Sequence, residues 1–409
     1  MRFLILTQYF PPETGAPQNR LLQLAKRLQK LGVEVTVLTA MPNYPQMRIY
    51  DGYRNKFYCF EFIEGIPVHR SWIYSGTSKA IVPRLINYFS FVKTSFLVGL
   101  FKIKKQDFIL CESPPLFLGM SAWLLSKFKG ARMIFNVSDL WPESAEKLGL
   151  VTNRSLLNLS TWLEEFLYRH SVIVTGQTKG IVNNIASRFP NKCVFWLKNG
   201  ADMEEISSIP ADTDWRVSNG FSDHDFLLLY AGIIGHAQGL EVILKAANLL
   251  RDKPEIKFLL AGSGPLRDQL ITLKNSLNLT NVFFLENRPK HEVVPIIHAA
   301  DIALIPLRKL DLFKGAIPSK IFENLALHKP ILLGVEGEAL ELFIDQGGAG
   351  WSFEPENSED LASKIRYLSD NRHLLKEAGN NGFDYLCREF NLDVVAAEFH
   401  SLINEKSAK

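Results

Sequence analysis

Two charged residues, Lys320 and Glu323, stand three apart in the stretch GAIPSKIFENLALHKPIL (315–332). Both fall where a helix begins after an apolar run that reads as a strand end, and HKPILL reads as the next strand. A capping box sets Glu three residues after its Ser or Thr. Ser319 stands four before Glu323, so this glutamate is not the reciprocal cap. Lys320 and Glu323 are three apart on one face, so a surface ion pair explains them without a ligand. With Ile321, Phe322, Leu325 and Ala326 buried, both charges project from the other side, at the carboxyl end of a strand. Open parallel sheets bind ligands at such ends. There a carboxylate can accept hydrogen bonds from the vicinal hydroxyls of a ribose. A lysine there can offset charge on a departing diphosphate. A solvated helix face and a ligand site both stay open on spacing alone.

Three strand-to-helix loops could serve the same ligand. QYFPPETGAPQNR places Gly15 just before a helix, with Asn19 and Arg20 in its first turn, so a backbone N–H can approach a phosphate closely. A proline-stiffened turn explains the same residues, and the loop is not the G-x-G-x-x-G of dinucleotide enzymes. YAGIIGHAQGLEVILKAA carries Gly232, Gly235 and Gly239, and LLAGSGPLRDQL carries Gly262 and Gly264 with Pro265 at the helix start. Either can cradle an anion, and the last can equally be a tight turn.

Elements to hold these loops are plain in the pattern. FLILTQYF, VEVTVLTA, IPVHRSWIY, DFILCES, ARMIFNVSDL, HSVIVTGQ and CVFWLKNG are apolar runs separated by amphipathic stretches such as PQNRLLQLAKRLQKLG. They are too continuous to be half-exposed, which predicts a parallel sheet covered on both faces. The alternation breaks over 201–222 and restarts with DFLLLYAG, KFLLAGSG, NVFFLEN, DIALIPL, KPILLGV and AGWSFEP. Two doubly wound α/β domains follow, with a linker near residue 205. The expected division is 1–203, 204–383 and a terminal helix, 384–409, crossing back to the first domain.

Composition narrows the class. A chain of 409 residues exceeds one ordinary core, and a net charge of +3 without an arginine-rich tract argues against nucleic acid. The four cysteines match neither a disulfide framework nor zinc spacing, which points to a reducing compartment. MRFLILTQYF is too short for a signal peptide and reads as a buried first strand. Residues 81–105 are long and apolar, but Arg84, Asn87 and Lys93 interrupt them and Lys102, Lys104 and Lys105 crowd their end. A core helix and an interfacial helix both fit. DTD (212–214) and DHD (223–225) lie in the polar stretch and read as solvated loop, so no metal is expected.

Together these motifs resemble the retaining glycosyltransferases of family 4, which have the GT-B fold. The likeness spans nearly the whole chain. NGAD (199–202) is similar to an interdomain NGVD signature, and SDLWPES (138–144) to a subgroup building O-antigen and capsule repeats, including N-acetyl-fucosamine transferases. The resemblance implies two Rossmann-like domains facing each other across a cleft. It implies donor contacts from Gly15, Gly232, Gly235, His236, Gly239, Gly262, Gly264, Arg288, Pro318, Ser319, Lys320 and Glu323. It implies acceptor contacts from Arg20, Asp139, Trp141 and Glu143, and catalysis by Lys320, Asp139 and Glu323. There are departures: Gly315 stands where relatives often carry a first glutamate, and Gln238 where they carry a basic residue. Charge on the leaving group then falls to Lys320, helped by backbone N–H groups, with Arg288 and Arg308 as candidate helpers.

The expected reaction moves a sugar from a nucleotide-diphosphate donor, UDP-linked, to a polyprenyl-diphosphate-linked saccharide at the cytoplasmic face of the inner membrane. No cofactor or metal is expected. A non-catalytic subunit of a polysaccharide assembly complex and a nucleotide-sugar epimerase remain the alternatives.

Overall fold

In the computed structural model, which describes residues 1–13, 15–44, 47–76, 81–147 and 153–408, the apolar runs become the strands of two sheets. The first holds β1 (Arg2–Leu6), β2 (Glu34–Ala40), β3 (Tyr58–Ile63), β4 (Ile66–Ser71), β5 (Phe108–Ser113), β6 (Arg132–Val137), β7 (Ile173–Gly176) and β8 (Val194–Trp196). Its order is β3-β4-β2-β1-β5-β6-β7-β8. Both faces are covered. Phe3 and Ile5 point into a layer with Leu21, Leu28 and Phe399, while Leu4 and Leu6 point into another with Phe91, Val98 and Ala122. That two-sided burial is why the strands read as unbroken apolar runs.

One strand departs from the parallel reading. β3 runs antiparallel to β4 at the sheet edge, joined by Glu64 and Gly65 with φ of 46° and 82°. Two left-handed central residues make the tight hairpin turn that matches strand twist. YCFEFI alternates in exposure instead of running apolar, so it lacks the signature of its neighbours.

The second sheet holds β9 (Phe226–Ala231), β10 (Ile256–Ala261), β11 (Val282–Leu285), β12 (Ile302–Pro306), β13 (Ile331–Gly334) and β14 (Gly350–Ser352), all parallel, in the order β11-β10-β9-β12-β13-β14.

The chain divides into Met1–Asn199 with Leu392–Lys409, and Gly200–Asn391. These boundaries differ from the expected 203/204 and 383/384 for local reasons. The stretch after Asn199 is not a plain linker. Asp202 caps the short helix Met203–Ser207, and Trp215 and Phe221 stack at 5.9 Å as part of the second unit. At the other end His373–Glu389 stays with the second unit, where Ala201 N–H donates to the Phe390 carbonyl. The helix Leu392–Ala408 belongs to the first unit: Val395, Phe399 and Ile403 enter its core, and Asp393 pairs with Arg27 at 3.0 Å.

The apolar stretch at 81 forms the helix Ile81–Lys102. Phe91 and Val98 are core, while Ile86, Phe89 and Phe101 are exposed, so it has features of both sequence readings. No helix among the described residues is long and apolar enough to cross a membrane.

Candidate functional site

At the carboxyl end of β9 the chain turns at Gly232, whose φ of 143° favours glycine. A Cβ there would stand 2.9 Å from the Lys320 ammonium, so the missing side chain lets Lys320 come against the backbone. Lys320 begins the helix Lys320–Ala326, whose Ile321, Phe322 and Leu325 are buried beneath it. Its Nζ donates to the Tyr230 hydroxyl at 3.3 Å and lies 4.6 Å from the centre of the Tyr230 ring. A cation over an aromatic face gains roughly 0.5–2 kcal/mol depending on desolvation. Tyr230 is itself buried and its hydroxyl donates to the Ile233 carbonyl at 2.5 Å. Burial pushes the Lys320 ammonium down to about 8, with Glu323 pulling the other way.

Glu323 lies one turn along. Among the described residues its carboxylate makes no hydrogen bond or ion pair, so its oxygens keep their accepting capacity. Burial lifts its carboxyl above the usual range; Lys290 and Lys320 oppose that shift and Glu205 adds to it. Lys290 opens the helix Lys290–Ala299 and pairs with Glu205 at 2.7 Å. Ser319 makes no side-chain cap bond, and the Pro318 carbonyl accepts from Ile321 N–H at 3.1 Å. A Cβ at Gly315 would meet nothing within 4 Å.

The glycine loops divide their tasks. Gly235 precedes a 3-10 turn, His236–Gln238, and Gly239 ends it at φ 58°. His236 is exposed, and its carbonyl accepts from Arg308 Nε at 2.6 Å. Arg308 also pairs with Glu241 at 3.3 Å and Glu356 at 3.5 Å, so this arginine braces the loop. Gly262 and Gly264, at φ 145° and 155°, serve packing: side chains there would collide with the carbonyls of Gly232 and Ile234. The two loops are further tied by Ile234 N–H to Ser263 O at 2.9 Å. Gly262 and Gly264 thus make a loop-to-loop contact that shapes the Gly232 turn. Arg288 pairs with Glu292 at 2.8 Å and lines a different groove, with Trp215 and Asn219.

In the first unit, the carboxyl ends of β5, β6 and β7 share a buried polar network. Arg20 reaches Glu112 at 2.7 Å and Ser138 Oγ at 3.1 Å, with side chains only 9% and 3% exposed for the ion pair. Ser138 and Asn136 also donate to Glu112, and Gln177 donates to Ser138 at 2.6 Å. Arg20 is thus committed to Glu112 and anchors the first helix to the sheet. Asp139, the next residue, is exposed and accepts from the Ser144 hydroxyl. Trp141 packs on Phe117, 6.4 Å between centroids, whereas Glu143 lines a separate groove with Glu146, Glu164 and Arg188. Gly15 is extended, φ 167°, a conformation open to any residue; its carbonyl accepts from Asn19 N–H at 3.2 Å. Just before it, buried Glu13 accepts from the N–H groups of Phe10, Asn43 and Tyr44, which holds the β1 loop in place.

The family model described as a glycosyl transferase 4-like domain matches residues 15–195, and that of glycosyl transferases group 1 matches residues 211–385. The chain carries two glycosyltransferase domains. Over 379 residues it is 27% identical to WcaI of Escherichia coli K12, named for glycosyl transfer in colanic acid biosynthesis, covering 90% of this chain and 91% of that protein. Sucrose-phosphate synthase from Thermosynechococcus elongatus superposes with a TM-score of 0.75 at 16% identity, covering 100% of this chain and 99% of that one. Anabaena HepE in complex with UDP and glucose gives 0.69 at 16% identity, covering 99% and 100%. The fold is GT-B.

Within the residues matched by the group 1 model, the sequence singles out Lys320 and Glu323 but not Tyr230 and Lys290, which the fold brings beside them. Tyr230 is the last residue but one of a buried strand, where an aromatic reads as core. Lys290 is brought near by a helix 30 positions upstream, which no local spacing signals. In the 4-like domain the missed residue is Glu112. A charged residue ending DFILCES was a visible oddity, and its match in Arg20, 92 positions away, needs the fold.

Proposed function

We propose that this chain is a retaining glycosyltransferase that moves a sugar from a UDP-linked donor to a lipid-linked saccharide in synthesis of a surface polysaccharide such as O-antigen or capsule. The observation that carries this reading is Lys320, seated on Tyr230 against the Gly232 turn, with the carboxylate of Glu323, unpaired among the described residues, one turn away. The name of WcaI supports the polysaccharide setting, and HepE's complex with UDP supports the nucleotide.

In this reading the group 1 domain holds the donor. Glu323 accepts hydrogen bonds from the ribose hydroxyls, and Lys320 meets the negative charge that builds on the diphosphate. The 4-like domain holds the acceptor near Asp139 and Trp141. The acceptor hydroxyl attacks the anomeric carbon on the face the diphosphate leaves. The carbon–oxygen bond to the diphosphate breaks, its electron pair stays on the phosphate oxygen, and the hydroxyl proton passes to that oxygen. No carboxylate pair spaced for double displacement is invoked, and no metal; charge stabilisation by Lys320 takes that part. An N-acetylated deoxyhexosamine such as N-acetyl-L-fucosamine is the sugar favoured by the SDLWPES loop. The exposed face of Ile81–Lys102, with Lys102, Lys104 and Lys105 at its end, suits work at the cytoplasmic membrane face.

A thermal-shift screen of UDP, GDP and nucleotide sugars, followed by transfer to a polyprenyl-diphosphate sugar, tests the proposal. UDP should protect, and Glu323→Ala should abolish protection and transfer while the unliganded melting temperature stays within a few degrees. Full turnover by Glu323→Ala at saturating donor would sink the ribose role.

A further inference from the structure

Helix Ile81–Lys102 and the end of β4 enclose an apolar groove that the proposed reaction leaves unused. Phe57, Trp72 and Tyr74 line one side, Leu85, Phe89 and Leu97 the other, around a volume of about 710 Å³. Small-molecule sites span roughly 300–1,000 Å³. Leu85, Phe89, Lys93 and Leu97 recur every four residues, so they form one stripe along the helix for roughly 18 Å. Phe57 and Phe89 are 55% and 50% exposed, apolar surface that a ligand would remove from water.

Lys93 is the single cation of this lining, and among the described residues it makes no ion pair or hydrogen bond. It divides the groove. Beyond it, Thr94 bonds to the Trp72 carbonyl, which sets Trp72 beside this turn of the helix on the way to Leu97. Before it, Ser90 accepts from Tyr74 N–H at 2.9 Å, and Phe89 packs on Phe117 at 4.8 Å. Phe117 in turn packs on Trp141 at 6.4 Å. A row of rings therefore leads from the groove to the loop that carries Asp139.

We propose that this groove binds one isoprenoid phosphate chain, with Lys93 as counter-ion to its phosphate. The chain lies against Phe57, Trp72 and Leu97, and the saccharide leads past Phe89 toward Trp141. The groove is thus the lipid subsite of the acceptor, an assignment that rests on the lipid-linked reading above. An apolar slot with one unpaired cation matches a single chain with one anionic end. A bilayer surface would instead be met by several cations, and among the described side chains the cluster of Lys102, Lys104 and Lys105 sits at the far end of the helix.

The test is calorimetric titration of the full chain, without nucleotide sugar, using farnesyl phosphate below its micellar concentration, farnesol and inorganic phosphate. Farnesyl phosphate should bind saturably, one per chain. Lys93→Gln should weaken it about tenfold and leave farnesol unchanged, since a hydrogen bond to a charged group is lost. Phe57→Ser should weaken both. Absence of farnesyl phosphate binding, indifference to Lys93→Gln, or binding only to phosphatidylglycerol vesicles would each overturn the assignment. UDP protection of the same variants reports on folding and on the donor reading separately. UDP binding retained with no farnesyl phosphate binding rejects the lipid subsite alone.

Discussion

The ammonium of Lys320 gives the donor reading a quantitative handle. Burial brings it to about 8, so its charge is lost across a range where the protein can be studied. A diphosphate is fully ionised above pH 7, its last phosphate proton leaving near pH 6. Between pH 7 and 9 the nucleotide is therefore constant and Lys320 is not. About nine-tenths of the free protein carries the ammonium at pH 7 and about one-tenth at pH 9, a tenfold loss of competent protein. The UDP dissociation constant should rise about tenfold over that interval, about 1.4 kcal/mol. The sign follows from which form binds: the protonated lysine favours the diphosphate, so affinity is full below about pH 8 and falls above it. Bound diphosphate holds the proton on Lys320, so calorimetry in buffers of different ionisation enthalpy should show uptake of roughly 0.9 proton per UDP at pH 9. Lys320→Met should bind weakly with a flat profile. Lys320→Arg, charged throughout, should also be flat over pH 7–9. A wild-type profile without slope, or an equal slope in Lys320→Met, would refute the assignment of Lys320 to the diphosphate.

Other perturbations address the scaffold. Glu112→Ala leaves the buried Arg20 cation without its partner and should lower stability by about 3–5 kcal/mol, measured by urea unfolding. Gly262→Ala sets a methyl against the Gly232 carbonyl; it should cost about 1–3 kcal/mol and weaken UDP binding through a displaced Gly232 turn, which thermal shift and titration would read together. Gly315→Glu should fold normally, with stability within about 0.5 kcal/mol, because a side chain there meets open space; a large loss would show that the glycine is required by the backbone.

Much of this molecule was open to reading in one dimension. The inner strands of both sheets announce themselves as apolar runs because each is buried on two faces, and that burial is a property of composition as much as of packing. Lys320 and Glu323 could be picked out because a charged pair at a strand-to-helix junction breaks the pattern, and the four-residue step from Ser319 removes the capping box, though not a surface ion pair. Gly232 was visible as a glycine in such a loop. What its absent side chain makes room for was not, because Lys320 is 88 positions away and meets it only when β9 and the helix Lys320–Ala326 come side by side.

The tertiary structure decided the rest. Arg20 and Arg308 have the same chemistry on paper as any anion-binding arginine, and each is taken by carboxylates and carbonyls brought in from elsewhere. Gly262 reads in sequence as part of a phosphate loop, and the fold adds that its missing side chain lets two backbones meet. Sequence spacing records local geometry, a few residues at a time. Whether a charge is spent on the fold or kept for a ligand depends on partners distant in the chain, and only the folded arrangement places Tyr230 under Lys320, Lys290 near Glu323, and Lys93 in a groove without a partner among the described residues.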